Sequence, residues 1–200
     1  MVCVTAEDAR IAGVAADQFH EHGITATGVE ALSRAAGISK RTLYQRFGSK
    51  DGLIVAAYDA LDVPVFEMFT LPVEAQTGDP REQLLGFFVR LEALVRSPQF
   101  RGCPFTNAAA ELADPKHPAH TVIRRHKERI RRWLRGRARA AGAANPDQLS
   151  RQLMLVFAGV QSQALLEHSA RPARDAYGLA QALIDSAIEQ ETGNGAKMRA

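Results

Sequence analysis

The sequence predicts an all-α protein, and three observations support this prediction. Apolar residues recur at spacings of three and four along most of the chain, as they do on one face of a helix. Near the start, Gly23, Gly37 and Gly48 separate three short apolar-periodic segments, and glycine is common just after a helix ends. We find no useful length of alternating apolar and polar residues and no internal repeat, so strands and repeat architectures are not expected.

The first three helices are predicted from polar caps at their starts, followed by apolar stripes. The caps are Thr5, Thr27 and Ser39, and the stripes contain Ile11, Ala15, Phe19, Val29, Leu32, Ala36, Leu43 and Phe47. Glu30 follows Thr27 by three residues, which fits a capping box. Ser49 is expected to cap the next helix.

The rest of the chain predicts further helices separated by breaks that contain proline or glycine. They cover about residues 51–69, 81–96, 106–113, 119–141, 147–168 and 175–191. Pro64 is expected to bend or interrupt the first of them, and residues 71–80 are predicted to form a loop. Residues 192–200 are expected to be a disordered tail.

Composition narrows the class of protein. The chain has 200 residues, 46% of them hydrophobic and 24% charged, which is enough to bury a core. No apolar run approaches the ~18 residues of a membrane span, and the first residues lack a secretory pattern. Cys3 and Cys103 are the only cysteines, which is not a disulfide framework. These features predict a cytoplasmic protein.

The stretch 37–50, GISKRTLYQRFGSK, contains four Lys or Arg residues and no acid. Two short helices joined by a tight turn form a helix-turn-helix unit. Apolar residues of this unit would pack inward, which leaves Lys40, Arg41, Thr42, Tyr44, Gln45 and Arg46 mostly outside. A helix of about 10–12 Å with its side chains fits a major groove about 12 Å wide. Ser49 and Lys50 then begin a helix whose free N–H groups suit a phosphate. We therefore predict DNA binding; the alternative is a solvated helix face.

Residues 9–58 resemble the DNA-binding domain of the TetR family of transcriptional regulators. The resemblance lies in AADQFHEHGITATGVEALSRAAGISKRTLYQRFGSKDGLIVAAY. It implies a helix-turn-helix DNA-binding domain at 1–50 and a larger helical domain at 51–191 for effector binding and dimerisation. It also implies phosphate contacts by Thr42, Tyr44 and Lys50, and base readout by Lys40, Arg41 and Gln45. Position 41 is commonly glycine in this family, so Arg41 is expected to change the operator sequence and not the fold.

The second half of the chain resembles the family only loosely. Helices 147–168 and 175–191 have apolar faces, and the family implies that such a pair forms the homodimer interface; ordinary core packing is the alternative. Large apolar side chains on several helices could line an effector cavity. The candidates are Phe66, Phe69, Phe88, Leu91, Phe105 and Trp133. For each of them, a place in the core is the alternative, and the family suggests an apolar or aromatic effector.

Cys103 lies in RGCPFTNAAAEL, where a helix N-terminus and Arg101 could lower the thiol pKa. It is a candidate redox sensor, and a small buried apolar residue is the alternative. His117, His120 and His126 lack the partner set of a metal site, so we expect no metal and no cofactor. We see no nucleophile–base pair or phosphate loop, so we do not expect an enzyme.

Residues 116–139 carry ten Lys or Arg residues and one acid, Glu128. Apolar positions including Ile130 and Trp133 keep an inner face, so the segment predicts an amphipathic helix. The simplest explanation for this charge is a solvated helix face that is partly paired with acidic residues elsewhere. The alternatives are an anionic effector or a second nucleic-acid surface, which would make the chain an architectural protein. Taken together, the basic stretch 37–50 predicts DNA binding, and the resemblance to the TetR family implies a dimeric repressor that binds palindromic duplex DNA and is released by a small molecule.

Overall fold

The computed structural model describes residues 5–197, with side chains described as far as Glu189. Within this range the secondary structure consists of helices without strands, as predicted. The helices are α1 (Ala6–His22), α2 (Val29–Ala36), α3 (Lys40–Phe47), α4 (Lys50–Gln76), α5 (Pro80–Val95), α6 (Pro104–Glu111), α7 (Ala119–Ala140), α8 (Pro146–Glu167) and α9 (Arg171–Lys197). None of these helices combines the length and the hydropathy needed to cross a membrane.

The helices form two compact units. The first unit contains the chain up to Val65 together with Cys103–Lys127, and the second contains Phe66–Gly102 together with the chain from Glu128 onward. The first unit therefore combines α1–α3 with α6 and with parts of α4 and α7. The predicted functional boundary at residue 50 does not coincide with this division and stays a prediction.

The first unit has a core built from the apolar stripes of its helices. Its most deeply buried large side chains include Ile11, Phe19, Leu32, Leu43, Leu53, Tyr58 and Phe105. α1 begins as predicted, because Thr5 and Asp8 form a reciprocal capping box. At about 25 cal/mol per Å² of apolar area, each fully buried leucine or phenylalanine stabilises the unit by roughly 1.5–3 kcal/mol relative to exposure.

The second unit has an aromatic core. The ring of Phe87 lies 5.1 Å from those of Phe69 and Phe157, and 5.7 Å from that of Trp133. Phe69 also meets Phe157 edge to face at 5.3 Å. Phe87 is fully buried, so this cluster is the centre of the unit.

The structure corrects the prediction for α4, which continues to Gln76 where a loop over 71–80 was expected. Pro64 and Pro72 both lie on its exposed side. Proline removes one N–H donor from a helix and is tolerated where the freed carbonyl finds another donor. Pro72 frees the carbonyl of Met68, and Arg90 Nη2 donates to that oxygen at 3.4 Å. The opposite face buries Phe69, and its packing holds the helix together.

Two helix starts also differ from prediction. Gly28 is the N-cap of α2 and makes no side-chain capping bond, so the predicted capping box at Thr27 is wrong. Thr27 is buried, and its hydroxyl donates to the carbonyl of Gly23 at 2.6 Å. α9 begins at Arg171 instead of residue 175, and its backbone is helical to Lys197. Residues 198–200 of the predicted tail, and Cys3, lie outside the described residues.

Candidate nucleic-acid interface

The turn between α2 and α3 is formed by the local sequence. Gly37 has φ = 69°, in the left-handed region, which glycine adopts without a steric cost. The N–H of Ile38 donates to the Ser33 carbonyl at 3.0 Å. The Ser39 hydroxyl accepts from the N–H of Thr42 at 3.0 Å, which caps α3. These bonds define a helix-turn-helix.

α3 has two chemically different faces. Leu43 is fully buried, and Ile38 and Phe47 pack against the same core. The opposite side exposes the predicted base-reading and phosphate-binding side chains Lys40, Arg41, Tyr44 and Gln45, while Thr42 is half-buried. The apolar face attaches the helix to the first unit, so the polar face is available to a partner.

Arg46 is directed to α1. Its Nη1 donates to Asp8 Oδ1 at 2.7 Å. Hydrogen bonds from the Thr5 hydroxyl and from Arg46 lower the pKa of the Asp8 carboxyl to about 2, because they stabilise its charged form. This pair joins the end of α3 to the start of α1, so Arg46 helps to hold the recognition helix in place.

The other three cations of the stretch 37–50 have different environments. Lys40 forms an ion pair with Glu30 of α2. Lys50 is half-buried, and its Nζ donates to the carbonyl of Ile24 at 2.6 Å. Arg41 is exposed, and its guanidinium has no hydrogen-bond or ion-pair partner in the part of the chain that the structure describes. Arg41 is therefore the cation of this stretch that has all of its side-chain donors available to a partner.

The start of α4 lies directly after this face. Ser49 is exposed, and its hydroxyl accepts from the N–H of Gly52 at 3.0 Å, as predicted for a cap. The hydroxyl caps only one of the N–H groups at the start of the helix. The positive end of the helix dipole therefore remains beside Lys50. An anion such as a phosphate would be stabilised there.

Known protein families and solved structures match most of this chain. The family model described as bacterial regulatory proteins of the tetR family matches residues 11–57, and the tetracyclin repressor-like C-terminal domain matches residues 80–179. The crystal structure of a TetR transcriptional regulator from Streptomyces avermitilis is 34% identical, covers 92% of this chain and 98% of its own, and has a TM-score of 0.79. The chain belongs to the TetR family of transcriptional regulators.

Two further relatives have lower sequence identity to this chain. The HTH-type transcriptional regulator YjdC of Escherichia coli strain K12 is 23% identical over 179 residues, covering 87% of this chain and 91% of YjdC. A TetR-family regulator from Streptomyces coelicolor has a TM-score of 0.82 at 24% identity, covering 91% of this chain and 96% of its own. At 24% identity, the likeness to the Streptomyces coelicolor structure supports the fold alone.

Five of the six predicted effector-pocket residues of this TetR-family chain belong to the second unit. Phe69, Phe88 and Leu91 are buried, and Phe66 is half-buried. Trp133 donates its Nε1–H to Glu74 Oε1 at 2.6 Å. The sixth residue, Phe105, lies in the first unit, where its ring stacks on His126 at 3.7 Å. Their role as an effector pocket stays a prediction.

Cys103 is the N-cap residue of α6 and is buried. The Nζ of Lys127 lies 3.2 Å from its sulfur. Sequence reasoning missed this lysine, which follows Cys103 by 24 positions. The redox-sensor role of Cys103 and its alternative, a small buried apolar residue, both stay predictions.

The three histidines have separate partners within the first unit. His117 Nδ1 accepts from the N–H of Ala119 at 3.2 Å, and His120 Nε2 lies 2.9 Å from the carbonyl of Leu112. His126 is buried, and its Nδ1 lies 3.0 Å from Asp62 Oδ1. Burial lowers the pKa of His126 to about 4, although Asp62 opposes this shift. No group of three His, Cys, Asp or Glu side chains in the described chain could hold a metal ion.

The basic helix is α7, and several of its arginines form ion pairs. In the first unit, Arg125 pairs with Asp59 and Asp62. In the second unit, both Arg131 and Arg135 donate to Asp147, at 2.9 and 3.3 Å, and these bonds lower the pKa of that carboxyl. These contacts agree with the simplest explanation of the charge on this segment, a solvated helix face that is partly paired with acidic residues. Lys116, Arg124, Arg132 and Arg139 are exposed.

α8 and α9 pack against each other with part of their apolar side chains outside. Leu155 is 74% exposed, Leu166 71% and Leu179 53%. A groove of about 350 Å³ between the two helices is lined by residues that include Val156, Gly159, Val160, Ala176 and Leu179. Exposed leucines on adjacent helices are typical of a surface that another protein covers.

Proposed function

We propose that this TetR-family regulator is a homodimeric repressor that inserts α3 into the major groove of a palindromic operator. The observation that carries the proposal is the division of α3 into a buried face, centred on Leu43, and an exposed face with Lys40, Arg41, Tyr44 and Gln45. A rod attached by one side can present the other to base edges.

The proposed contacts divide into two kinds. Thr42, Tyr44, Ser49 and Lys50 bind phosphates and so position the protein, while Lys40, Arg41 and Gln45 contact base edges. Lys40 and Lys50 each have an internal partner, and an ammonium with three donors can keep that bond while donating to DNA. Arg41 has two parallel donors that match the O6 and N7 atoms of guanine.

The exposed leucines of α8 and α9 support dimerisation through these two helices. Pairing two copies over Leu155, Leu166 and Leu179 would remove them from water, at about 25 cal/mol for each Å² of apolar area covered. To bind two half-sites one helical turn of duplex apart, the dimer must present its two copies of α3 about 34–36 Å from each other. The operator is then a palindrome whose half-sites follow this spacing.

Release of the operator requires an effector that binds one dimer geometry better than the other. The proposed effector is apolar or aromatic and contacts second-unit side chains among Phe66, Phe69, Phe88, Leu91 and Trp133, of which Phe69 and Trp133 belong to the aromatic core of that unit. The regulator acts in the cytoplasm, where bacterial DNA is transcribed.

The test is selection of bound duplexes from a random pool, followed by sedimentation of the protein alone and with the selected duplex. We expect a palindromic consensus and a complex of two chains per duplex. Enrichment without a consensus would contradict sequence-specific recognition. It would favour the second candidate function, an architectural protein that binds nucleic acid through α7.

A further inference from the structure

A residue of α6 reaches the turn between α1 and α2. Glu111 Oε2 accepts a hydrogen bond from the N–H of Thr25 at 2.9 Å, across 86 positions of sequence. Thr25 precedes the helix-turn-helix, whereas Glu111 is the last residue of a helix in the half of the sequence assigned to regulation. All of these residues belong to the first unit.

The peptide group between Ile24 and Thr25 is bound at both ends by charged side chains. Lys50 Nζ donates to its carbonyl at 2.6 Å, and Glu111 accepts from its N–H at 2.9 Å. The ammonium therefore lies at the negative end of the peptide dipole and the carboxylate at the positive end. Hydrogen bonds with a charged partner are the stronger kind, so this arrangement determines the orientation of the peptide plane.

Gly23 makes room for the carboxylate. A Cβ atom at this position would lie 3.1 and 3.3 Å from the two carboxylate oxygens of Glu111. Gly23 also has φ = 86°, a conformation that residues with a Cβ rarely adopt. The turn and the carboxylate of α6 therefore fit each other closely.

The position of Glu111 on its own helix is unfavourable. The C-terminal end of a helix carries the negative end of the macrodipole, so a carboxylate there is destabilising. The helix dipole does not account for a carboxylate at this position, whereas the bond to Thr25 does.

The turn is connected to the recognition helix through the core. Ile24 is 3% exposed and belongs to the same cluster as Leu32 of α2 and Leu43 of α3. The Thr27 hydroxyl binds the Gly23 carbonyl at 2.6 Å, so the segment before α2 has few ways to move. A displacement of the Ile24–Thr25 peptide would shift the packing beneath Leu43.

We propose that Glu111 is a positioning residue for operator binding, which holds the α1–α2 turn and thereby sets the position of α3. The inference rests on the proposed function, because it concerns the same DNA-binding surface.

The first experiment compares operator affinity for the parent, Glu111→Ala, Glu111→Gln and the control Glu92→Ala, using the duplex that the parent selects. Glu92 is a carboxylate of α5 whose partner is Arg96. Removing a negative charge from a DNA-binding protein should by itself strengthen binding to phosphates. Glu92→Ala therefore measures the effect of losing one carboxylate and its ion pair where the α1–α2 turn is not involved.

We expect Glu111→Ala to weaken operator binding by about three- to tenfold, against the direction of the charge effect. Glu111→Gln keeps an oxygen that accepts from Thr25, so it should bind within about twofold of the parent. The salt dependence should be the same for all of them, because Glu111 contacts no phosphate. Equal affinity of Glu111→Ala and parent overturns the proposal, as does a Gln variant as weak as the Ala variant.

A second experiment needs no DNA. Amide hydrogen exchange of the full-length protein is measured at Thr25 and along α3, with circular dichroism to confirm that each variant is folded. We expect faster exchange at Thr25 and in Arg41–Gln45 for Glu111→Ala, and parent-like exchange for Glu111→Gln. Unchanged exchange in Glu111→Ala overturns the positioning role. A parent that binds no duplex would refute the proposed function, while exchange would still decide the role of Glu111.

Discussion

Arg41 is expected to read one base pair in each half of the operator. It is exposed and has no internal partner among the described residues, so Arg41→Ala should change the free energy of unfolding by no more than about 0.5 kcal/mol. Loss of a bidentate bond to guanine costs about 1–3 kcal/mol of discrimination. At 1.4 kcal/mol per tenfold, the preference for the correct base pair should fall about 5- to 140-fold.

The assay is a titration of fluorescently labelled duplexes followed by anisotropy. It uses the consensus and every single-base-pair variant of one half-site, at two salt concentrations. Arg41→Ala should lose preference at one position and keep it elsewhere. Arg46→Ala is the matched control, because it removes the same charge from the same helix but from a residue that binds Asp8. It should weaken all duplexes alike.

Two results would refute the reasoning. If Arg41→Ala weakened all duplexes equally and the slope of log K against log salt fell by about 0.9, Arg41 would be a phosphate contact. If affinity and preference were both unchanged, the exposed face of α3 would not lie in the groove as proposed.

Four further predictions concern other parts of the chain. Leu43→Ala removes a fully buried side chain and should lower the free energy of unfolding by about 2–5 kcal/mol in urea; a smaller loss would contradict its place in the core. Leu155→Glu combined with Leu166→Glu should give monomers in sedimentation, and a stable dimer would exclude this interface. Because Cys103 is buried, Cys103→Ser and the parent should respond alike to peroxide in operator binding; a response in the parent alone would establish the redox sensor. Burial lowers the pKa of His126 to about 4, below its value of about 6.5 in the unfolded chain, so the unfolded chain binds more protons between these values. The free energy of unfolding should therefore be highest above about pH 6.5 and fall towards pH 4. In His126→Gln, the urea midpoint should change less between pH 7 and pH 5 than it does in the parent.

The helix-turn-helix could be predicted because its determinants lie within a few residues of one another. Ser39 caps α3 from three positions before Thr42, and Gly37 supplies the left-handed turn. Such interactions depend only on backbone geometry and the nearest side chains. The buried and exposed faces of α3 follow from the same helical period. The DNA-binding helices therefore needed no information from the rest of the chain.

The wrong predictions of local structure concern positions where residues outside the helix itself decide where it begins or ends. Thr27 and Glu30 have the spacing of a capping box. In the folded turn, however, the Thr27 hydroxyl donates to the Gly23 carbonyl. Pro72 did not end α4, because Arg90 of another helix supplies a donor to the carbonyl that it frees. A local pattern cannot indicate whether such a partner will be present.

By itself, the sequence determined the helical class, the helix-turn-helix and the exposed basic face, because caps, glycines and apolar spacing act over one or two helical turns. Only the tertiary structure decided which charges on that face are engaged. Arg46 is bound to Asp8 and Lys50 to Ile24, across 38 and 26 positions, and Arg41 is left available. The same is true of Glu111 and Thr25. Contacts between residues so far apart form only when the packing of the whole unit brings them together.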